Sequence, residues 1–197
     1  MIKLLSREIG PVIFETYDQK PKFTLSHVHQ IHSNIVVPIN LSHDASIQAD
    51  GQVGKLPLAE PMAIITADCL PILLIGKTEV AFLHAGWRGL HNKIMFHDLV
   101  KKISPHRAYI GPHIMKCCFE VQPNFKSNFS NPDYYEMRNS KLYFDLTKLA
   151  KDQLNEFRTI NQIEVEKTCT CCTKEFKSFR RDGTIDRNWN VIKNNQG

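Results

Sequence analysis

The chain has 197 residues, 42% of them hydrophobic and 23% charged, a balance that suits one compact globular domain over residues 1–197 with a sizeable core. It has no apolar run of membrane-spanning length, so no membrane partner is expected. The formal net charge of +5 is spread out, apart from Lys101-Lys102 and Arg180-Arg181. No nucleic-acid-binding motif accompanies it, so it speaks to solubility and not to a nucleic acid partner.

The opening residues, Met1 to Glu8, meet charge too early for a signal peptide, and the expectation is a cytoplasmic protein. Its six cysteines then read as thiols, because the cytosol is reducing. Cys117-Cys118 and Cys171-Cys172 are adjacent pairs, which make poor disulfides.

Taken in chain order, the first informative segment is Val28-His29-Gln30-Ile31-His32, which reads as a strand. Alternation puts Gln30 and His32 on one face and His27 and His29 on the other. Pro38 to Gly54 and Pro123 to Asn139 read as loops. Met62 to Thr66 is a short β-rich run ending at Ala67-Asp68-Cys69. Ile72 to Ile75 turns at Gly76-Lys77-Thr78 into Val80 to His84, which reads as a hairpin. An antiparallel hairpin brings the residue before its first strand close to the end of its second, so Cys69 and His84 are expected to be neighbours.

Gly86-Trp87-Arg88-Gly89 follows, then an amphipathic helix from about Leu90 to Ile103. A glycine-flanked turn with an arginine at a helix N-terminus is an anion cradle in outline. Ala108-Tyr109-Ile110 is a strand ending at Gly111-Pro112. Asp145 is the expected N-cap of a helix reaching about Phe157. Cys169 and Cys172 make a Cys-x-x-Cys spacing. No second such pair accompanies it, so these cysteines are expected to be structural or substrate-wall thiols. Strands and helices mix without a β-α-β rhythm, which favours an α+β fold.

His32, Cys69 and His84, separated by 37 and 15 positions, offer two imidazoles and a thiolate. That is the donor set of an open zinc site, with a fourth position left for water or substrate. The plain alternative is two satisfied core histidines and a cysteine packed as a small hydrophobe. A mixed nitrogen and sulfur set suits Zn²⁺ and also Cu(I).

These islands, Gln30-x-His32, Thr66-Ala67-Asp68-Cys69-x-Pro71 and His84-Ala85-Gly86-Trp87-Arg88-Gly89, resemble the laccase-domain (multicopper polyphenol oxidase) family. The resemblance continues through Gly111-Pro112-x-Ile114, Cys118-Phe119-Glu120-Val121, Asp145-Leu146, Cys169-Thr170-x-Cys172 and Ser178-x-Arg180-Arg181-Asp182-Gly183. It implies a layered α+β sandwich with mixed sheets. It also implies a zinc-containing purine nucleoside phosphorylase that accepts adenosine, inosine and methylthioadenosine, with adenosine deaminase activity beside it. The family's metal ligands map onto His32, Cys69 and His84. Two departures stand out. Ser33 takes the place of a glycine that often follows the first ligand, and Thr184-Ile185-Asp186-Arg187 replaces a Thr-Gly-Arg tail.

Within that resemblance, Asp68 is expected to act beside the ligands as an acceptor for a ligand histidine N–H, or else to stabilise a turn. Arg88 is the leading phosphate contact. Arg180 and Arg181 would alternate on a strand, so at most one should face substrate. Gln30 is a candidate for hydrogen bonding to a purine edge, and Trp87 for a core or wall position. Three other readings compete: a metal-free cysteine hydrolase with a Cys69–His84 dyad, a non-enzymatic binding module, and a copper polyphenol oxidase. The copper reading lacks further histidine clusters, and the His-x-Glu and Pro-Cys-x-x-Cys signature of zinc deaminases is missing as well. Oligomeric state is not legible in the sequence.

Overall fold

The computed structural model describes residues 1–39 and 46–195; positions 40–45 of the first expected loop lie outside the described residues. The hairpin forms from β6 (Leu70–Ile75) and β7 (Glu79–Ala85), in a register that pairs Pro71 with His84 and Leu70 with Ala85. It is the centre of a six-stranded mixed sheet. Here β8 (Arg107–Ile110) and β12 (Gln162–Val165) extend it past β6, while β4 (Gly51–Lys55) and β3 (Val36–Pro38) extend it past β7.

Every residue of β6 is buried, because both faces of this sheet are covered. Leu70, Ile72 and Leu74 pack on one side with Leu83, Leu90, Ile94, Leu149 and Leu154. Leu73 and Ile75 pack on the other with Phe14, Ile64, Phe82 and Ile192. A strand buried on both faces reads as a continuous apolar run, which is how Leu70 to Ile75 reads.

The second layer is a four-stranded sheet of β1 (Lys3–Ile9), β2 (Val12–Tyr17), β13 (Asn188–Asn194) and β5 (Met62–Thr66), in that order. The helical layer on the opposite face holds α1 (Trp87–His91), α2 (Asp98–Lys102) and α3 (Leu146–Asn155). The Asp145 carboxylate caps α3 by accepting from Lys148 N at 2.9 Å. A small sheet of β9 (Glu120–Val121), β10 (Tyr135–Arg138) and β11 (Lys141–Phe144) carries an aromatic cluster around Phe144. The result is the expected layered α+β arrangement. Among the described residues no helix is long and apolar enough to cross a membrane.

Five local expectations fail. The loop expected over Pro38 to Gly54 takes in the start of β4, and the one over Pro123 to Asn139 takes in β10, because pairing with β7 and β11 overrides their loop-like composition. Val28 to His32 is not a strand: it makes one isolated bridge, from His29 to Gln48, and His32 turns at φ 60°. The helix expected from Leu90 to Ile103 is broken where Lys93 adopts φ 58°, and a 3₁₀ turn over Ile94–Phe96 separates α1 from α2. Leu90, Ile94 and Ile103 are buried and Leu99 is partly buried all the same, so the apolar period runs on through the break. Arg180 and Arg181 lie not on a strand but on α4 (Phe179–Asp182), capped by Ser178.

Irregular segments are fastened to the strands by side-chain amides that imitate a neighbouring strand. Gln30 accepts from Ile65 N at 2.8 Å and donates to Ile65 O at 2.7 Å. Asn188 does the same to Lys177, and Asn194 to Leu58. Each clasp satisfies a donor and an acceptor that would otherwise face an unpaired edge.

The layers meet closely at Gly111, where an added Cβ would lie 2.5 Å from Phe14 Cζ and 2.9 Å from Pro71 Cγ. Gly111→Ala is therefore expected to lower stability by about 1–3 kcal/mol through overpacking, read as a lower urea midpoint. An unchanged midpoint would show that the layers have slack there.

Candidate active site

Cys69 lies on the turn between β5 and β6, and His84 sits one residue from the end of β7. The hairpin register brings the two together as expected. The irregular segment before β3 delivers His32, at its left-handed turn. The ligand atoms of His32, Cys69 and His84 all lie within 4.8 Å of one another. The two imidazoles meet edge to face, with centroids 4.8 Å apart at 76°. His84 is buried and His32 is exposed, so the group opens on one side only.

The residue that organises this group is Asp50, fully buried just before β4. Its Oδ1 accepts from His84 Nδ1 at 2.7 Å and from His32 N at 3.0 Å. Its Oδ2 accepts from Ile31 N at 3.3 Å, Ser33 N at 2.6 Å and Ser33 Oγ at 2.7 Å. Successive backbone N–H groups wrapped around an anion form a nest, and this one sets the φ of 60° at His32. With Nδ1 committed to Asp50, His84 presents Nε2 toward Cys69. Ser33 adds a hydroxyl donor that a glycine could not supply.

Burial favours the neutral form of Asp50, but the hydrogen bonds from His84 and Ser33 outweigh it and hold the carboxyl below its ordinary range. Burial likewise opposes a Cys69 thiolate. The positive His84 and hydrogen bonds from both imidazoles nevertheless bring that thiol down to about 6. On His84, burial disfavours the cation, yet the Cys69 thiolate and Asp50 raise its pKa to about 9. Without a cation the pair is thus a thiolate beside an imidazolium. Gly86 makes room for it, since a Cβ there would come 2.9 Å from Cys69 Sγ.

His32, Cys69 and His84 line a cavity of about 660 Å³ whose walls include Trp87, Ile114, Phe119, Phe179 and Ile185. Arg88, Arg180 and Arg187 also line it. The Arg88 guanidinium is stacked 4.6 Å from the Trp87 ring centre.

Several expected residues take other roles. The Asp68 carboxylate accepts from Thr170 Oγ1 and from Arg180 N, both at 2.7 Å, and not from a ligand histidine. It stands at φ 95° and ties the distal α4 to the Cys69 turn. Gln30 lines the cavity, but its amide is engaged on both sides by Ile65. Arg180 faces the cavity, with Nη1 donating to Glu120 O at 2.7 Å. Arg181 turns away and donates to the carbonyls of Thr170, Cys171, Thr173 and Phe176. His27 and His29 line the cavity together with Gln30 and His32, because this irregular segment does not alternate as a strand would. Cys169 and Cys172 are not on its wall; they lie with Cys117 and Cys118.

Residues 13–195 match the family described as multi-copper polyphenol oxidoreductase laccase. A purine nucleoside phosphorylase of Aquifex aeolicus is 36% identical over 163 residues, covering 80% of this chain and 77% of that protein. Another, from Clostridium acetobutylicum, is 30% identical, covering 81% of this chain and 72% of that protein. The crystal structure of a Neisseria meningitidis protein superposes with a TM-score of 0.76 at 29% identity, over 87% of this chain and 75% of that one. A Bacillus licheniformis protein, YfiH, gives 0.74 at 25% identity, over 87% and 74%. The chain belongs to the multi-copper polyphenol oxidoreductase laccase family.

Proposed function

We propose that this protein is a zinc-dependent purine nucleoside phosphorylase that cleaves adenosine, inosine and methylthioadenosine with phosphate, and that also deaminates adenosine. The observation that carries this reading is the convergence of His32, Cys69 and His84 in a cavity of about 660 Å³ that also presents Arg88, Arg180 and Arg187. The names of the Aquifex and Clostridium relatives support it.

The donor set fits zinc. Two imidazoles and one thiolate leave a fourth position open, and Asp50 fixes the tautomer of His84 as an orienting carboxylate does in metal sites. Zinc supplies Lewis-acid polarisation and acidifies water when bound. The chain's own residues do the rest. Trp87, Phe119 and Ile185 offer flat and apolar surface to a purine and exclude water from its face. The guanidinium of Arg88 matches a phosphate oxygen pair, and Arg180 and Arg187 add positive potential around it. Phosphorolysis forms the bond from a phosphate oxygen to ribose C1′ and breaks the bond from C1′ to the base. Deamination puts water oxygen on adenine C6 and releases ammonia.

The decisive assay offers a panel of purine nucleosides with and without phosphate. Inosine is expected to give hypoxanthine and ribose 1-phosphate only when phosphate is present, and adenosine to give adenine plus inosine. No phosphate-dependent release, from protein free of contaminating phosphorylase, would sink the reading. Arg88→Ala is expected to raise KM for phosphate by about 10–100-fold, the loss of one charge-assisted contact, with zinc content unchanged. Asp50→Asn should weaken zinc binding by about 10–100-fold, measured by competition with a chromogenic chelator.

A second reading, a Cys69–His84 hydrolase without metal, draws on the depressed thiol. The thiolate is the form that alkylates, and a pKa of about 6 places it above that pH. Iodoacetamide labelling of Cys69 in metal-stripped protein should therefore rise with pH with a midpoint near 6 and be suppressed by zinc. Stoichiometric zinc lost on His32→Ala defeats the dyad, which has no need of that residue. Copper-dependent phenol oxidation is the remaining family reading. Among the described residues the other ligand cluster is all cysteine, which does not supply a histidine-rich copper group.

A further inference from the structure

Cys117 and Cys118 follow β8, and Cys169 and Cys172 follow β12. The parallel pairing of those strands carries both loops to the same end of the sheet, where His113 bridges to Cys169. The four thiols gather there. Cys117 Sγ lies 3.7 Å from Cys118 Sγ, 3.6 Å from Cys169 Sγ and 3.6 Å from Cys172 Sγ, and Cys118 Sγ lies 3.3 Å from Cys172 Sγ. A tetrahedron of sulfurs about 2.3 Å from a central zinc has edges of roughly 3.8 Å. The separations lie close to that value and well above the ~2.05 Å of a disulfide bond.

The surroundings suit a thiolate at Cys169, while burial and the neighbouring thiols hold Cys117 and Cys118 above the ordinary thiol range until a cation pairs with them. Cys169 Sγ accepts from the backbone N–H groups of Met115, Cys171 and Cys172. Three guanidiniums grip the carbonyls of these loops: Arg138 on Lys116 and Cys117, Arg180 on Cys118, and Arg181 on Thr170 and Cys171. Four thiolates around one divalent cation leave a net negative charge, and these arginines offset it. Cys169 is buried while Cys117 and Cys172 are exposed, which gives a cation a path in. None of the four lines the cavity that holds His32, Cys69 and His84.

We propose that Cys117, Cys118, Cys169 and Cys172 form a second metal site, a closed structural zinc centre that clamps two loops behind the cavity wall. Each thiol that ligates releases its proton to solvent. The clamp acts on the cavity through short covalent spans. Cys118 is followed by the wall residue Phe119, and Cys169 by Thr170, whose hydroxyl holds Asp68 on the Cys69 turn.

The test counts zinc in the full chain purified under reductant. Wild type is expected to carry two zinc per chain, His32→Ala one, and Cys172→Ser one. Cys117→Ser, at a second exposed position, should repeat the result. Cobalt replacement gives a readout independent of activity. The four-sulfur site should give an intense sulfur-to-cobalt absorption that survives His32→Ala and disappears in Cys172→Ser, because one thiolate at the other site gives a much weaker band. Wild-type protein also answers alone: chelator should expose thiols to a thiol-counting reagent and lower the melting temperature. A single zinc per wild-type chain that is lost in His32→Ala and kept in Cys172→Ser, with all six thiols reduced, would overturn the proposal. So would a Cys118–Cys172 disulfide in protein prepared under reductant, or zinc stoichiometry unchanged in both serine variants.

Discussion

The arrangement of the site rests on one buried carboxylate. Asp50 takes up the N–H groups of residues 31–33, the Ser33 hydroxyl and the imidazole of His84. A fully buried charge persists only when it is paired and saturated with hydrogen bonds, and here the donors that saturate it belong to the two segments bearing the histidines. Desolvation cost and the placing of the two imidazoles are thereby coupled. A loop that moved His32 would strip donors from Asp50 and leave a charge unsatisfied. The left-handed turn at His32 is a strained conformation maintained by that coupling. The opposite rim uses the same device more weakly, with Asp68 holding Thr170 and the N-terminus of α4.

The layers explain why such a site can be rigid although its residues come from turns. The central sheet is buried on both faces, so β6 and β7 cannot slide without exposing one apolar set or the other. Cys69 and His84 sit at the ends of these two strands and inherit that immobility. The irregular segments are held by amide clasps and not by ladders, so they carry functional side chains without becoming strands themselves.

Sequence reading reaches the parts of this design that are local. The alternation and apolar runs around Gly76 disclose the hairpin, and the hairpin alone brings Cys69 to His84. Asp145 announces its helix because a cap acts within one turn. The failures are non-local. Val28 to His32 has strand composition, but its partners are a single bridge and a carboxylate at position 50. That carboxylate sits in a stretch that reads only as loop; the one signal is an acid immediately before a glycine that opens β4. The helix from Leu90 to Ile103 has the right period, yet nothing at Lys93 marks a left-handed break. The cysteine cluster is invisible for the same reason: Cys117 and Cys169 are 52 positions apart, and only the pairing of β8 with β12 makes them neighbours.

The place of β13 in its sheet carries a consequence for biosynthesis. This strand, made long after its neighbours, lies between β2 and β5, and Asn190 within it joins Thr16 across 174 positions. The six-stranded sheet has all its strands once residue 165 has been made, whereas the four-stranded sheet stays open in the middle until β13 leaves the ribosome. Contacts of such long range form slowly. Until then β2 and β5 present unpaired edges that invite association with other chains. The Cys69 turn follows β5, and Arg180 arrives just before β13, so the cavity closes in the same late step. A nascent chain made only as far as residue 165 would hold a folded hairpin and an unfinished site.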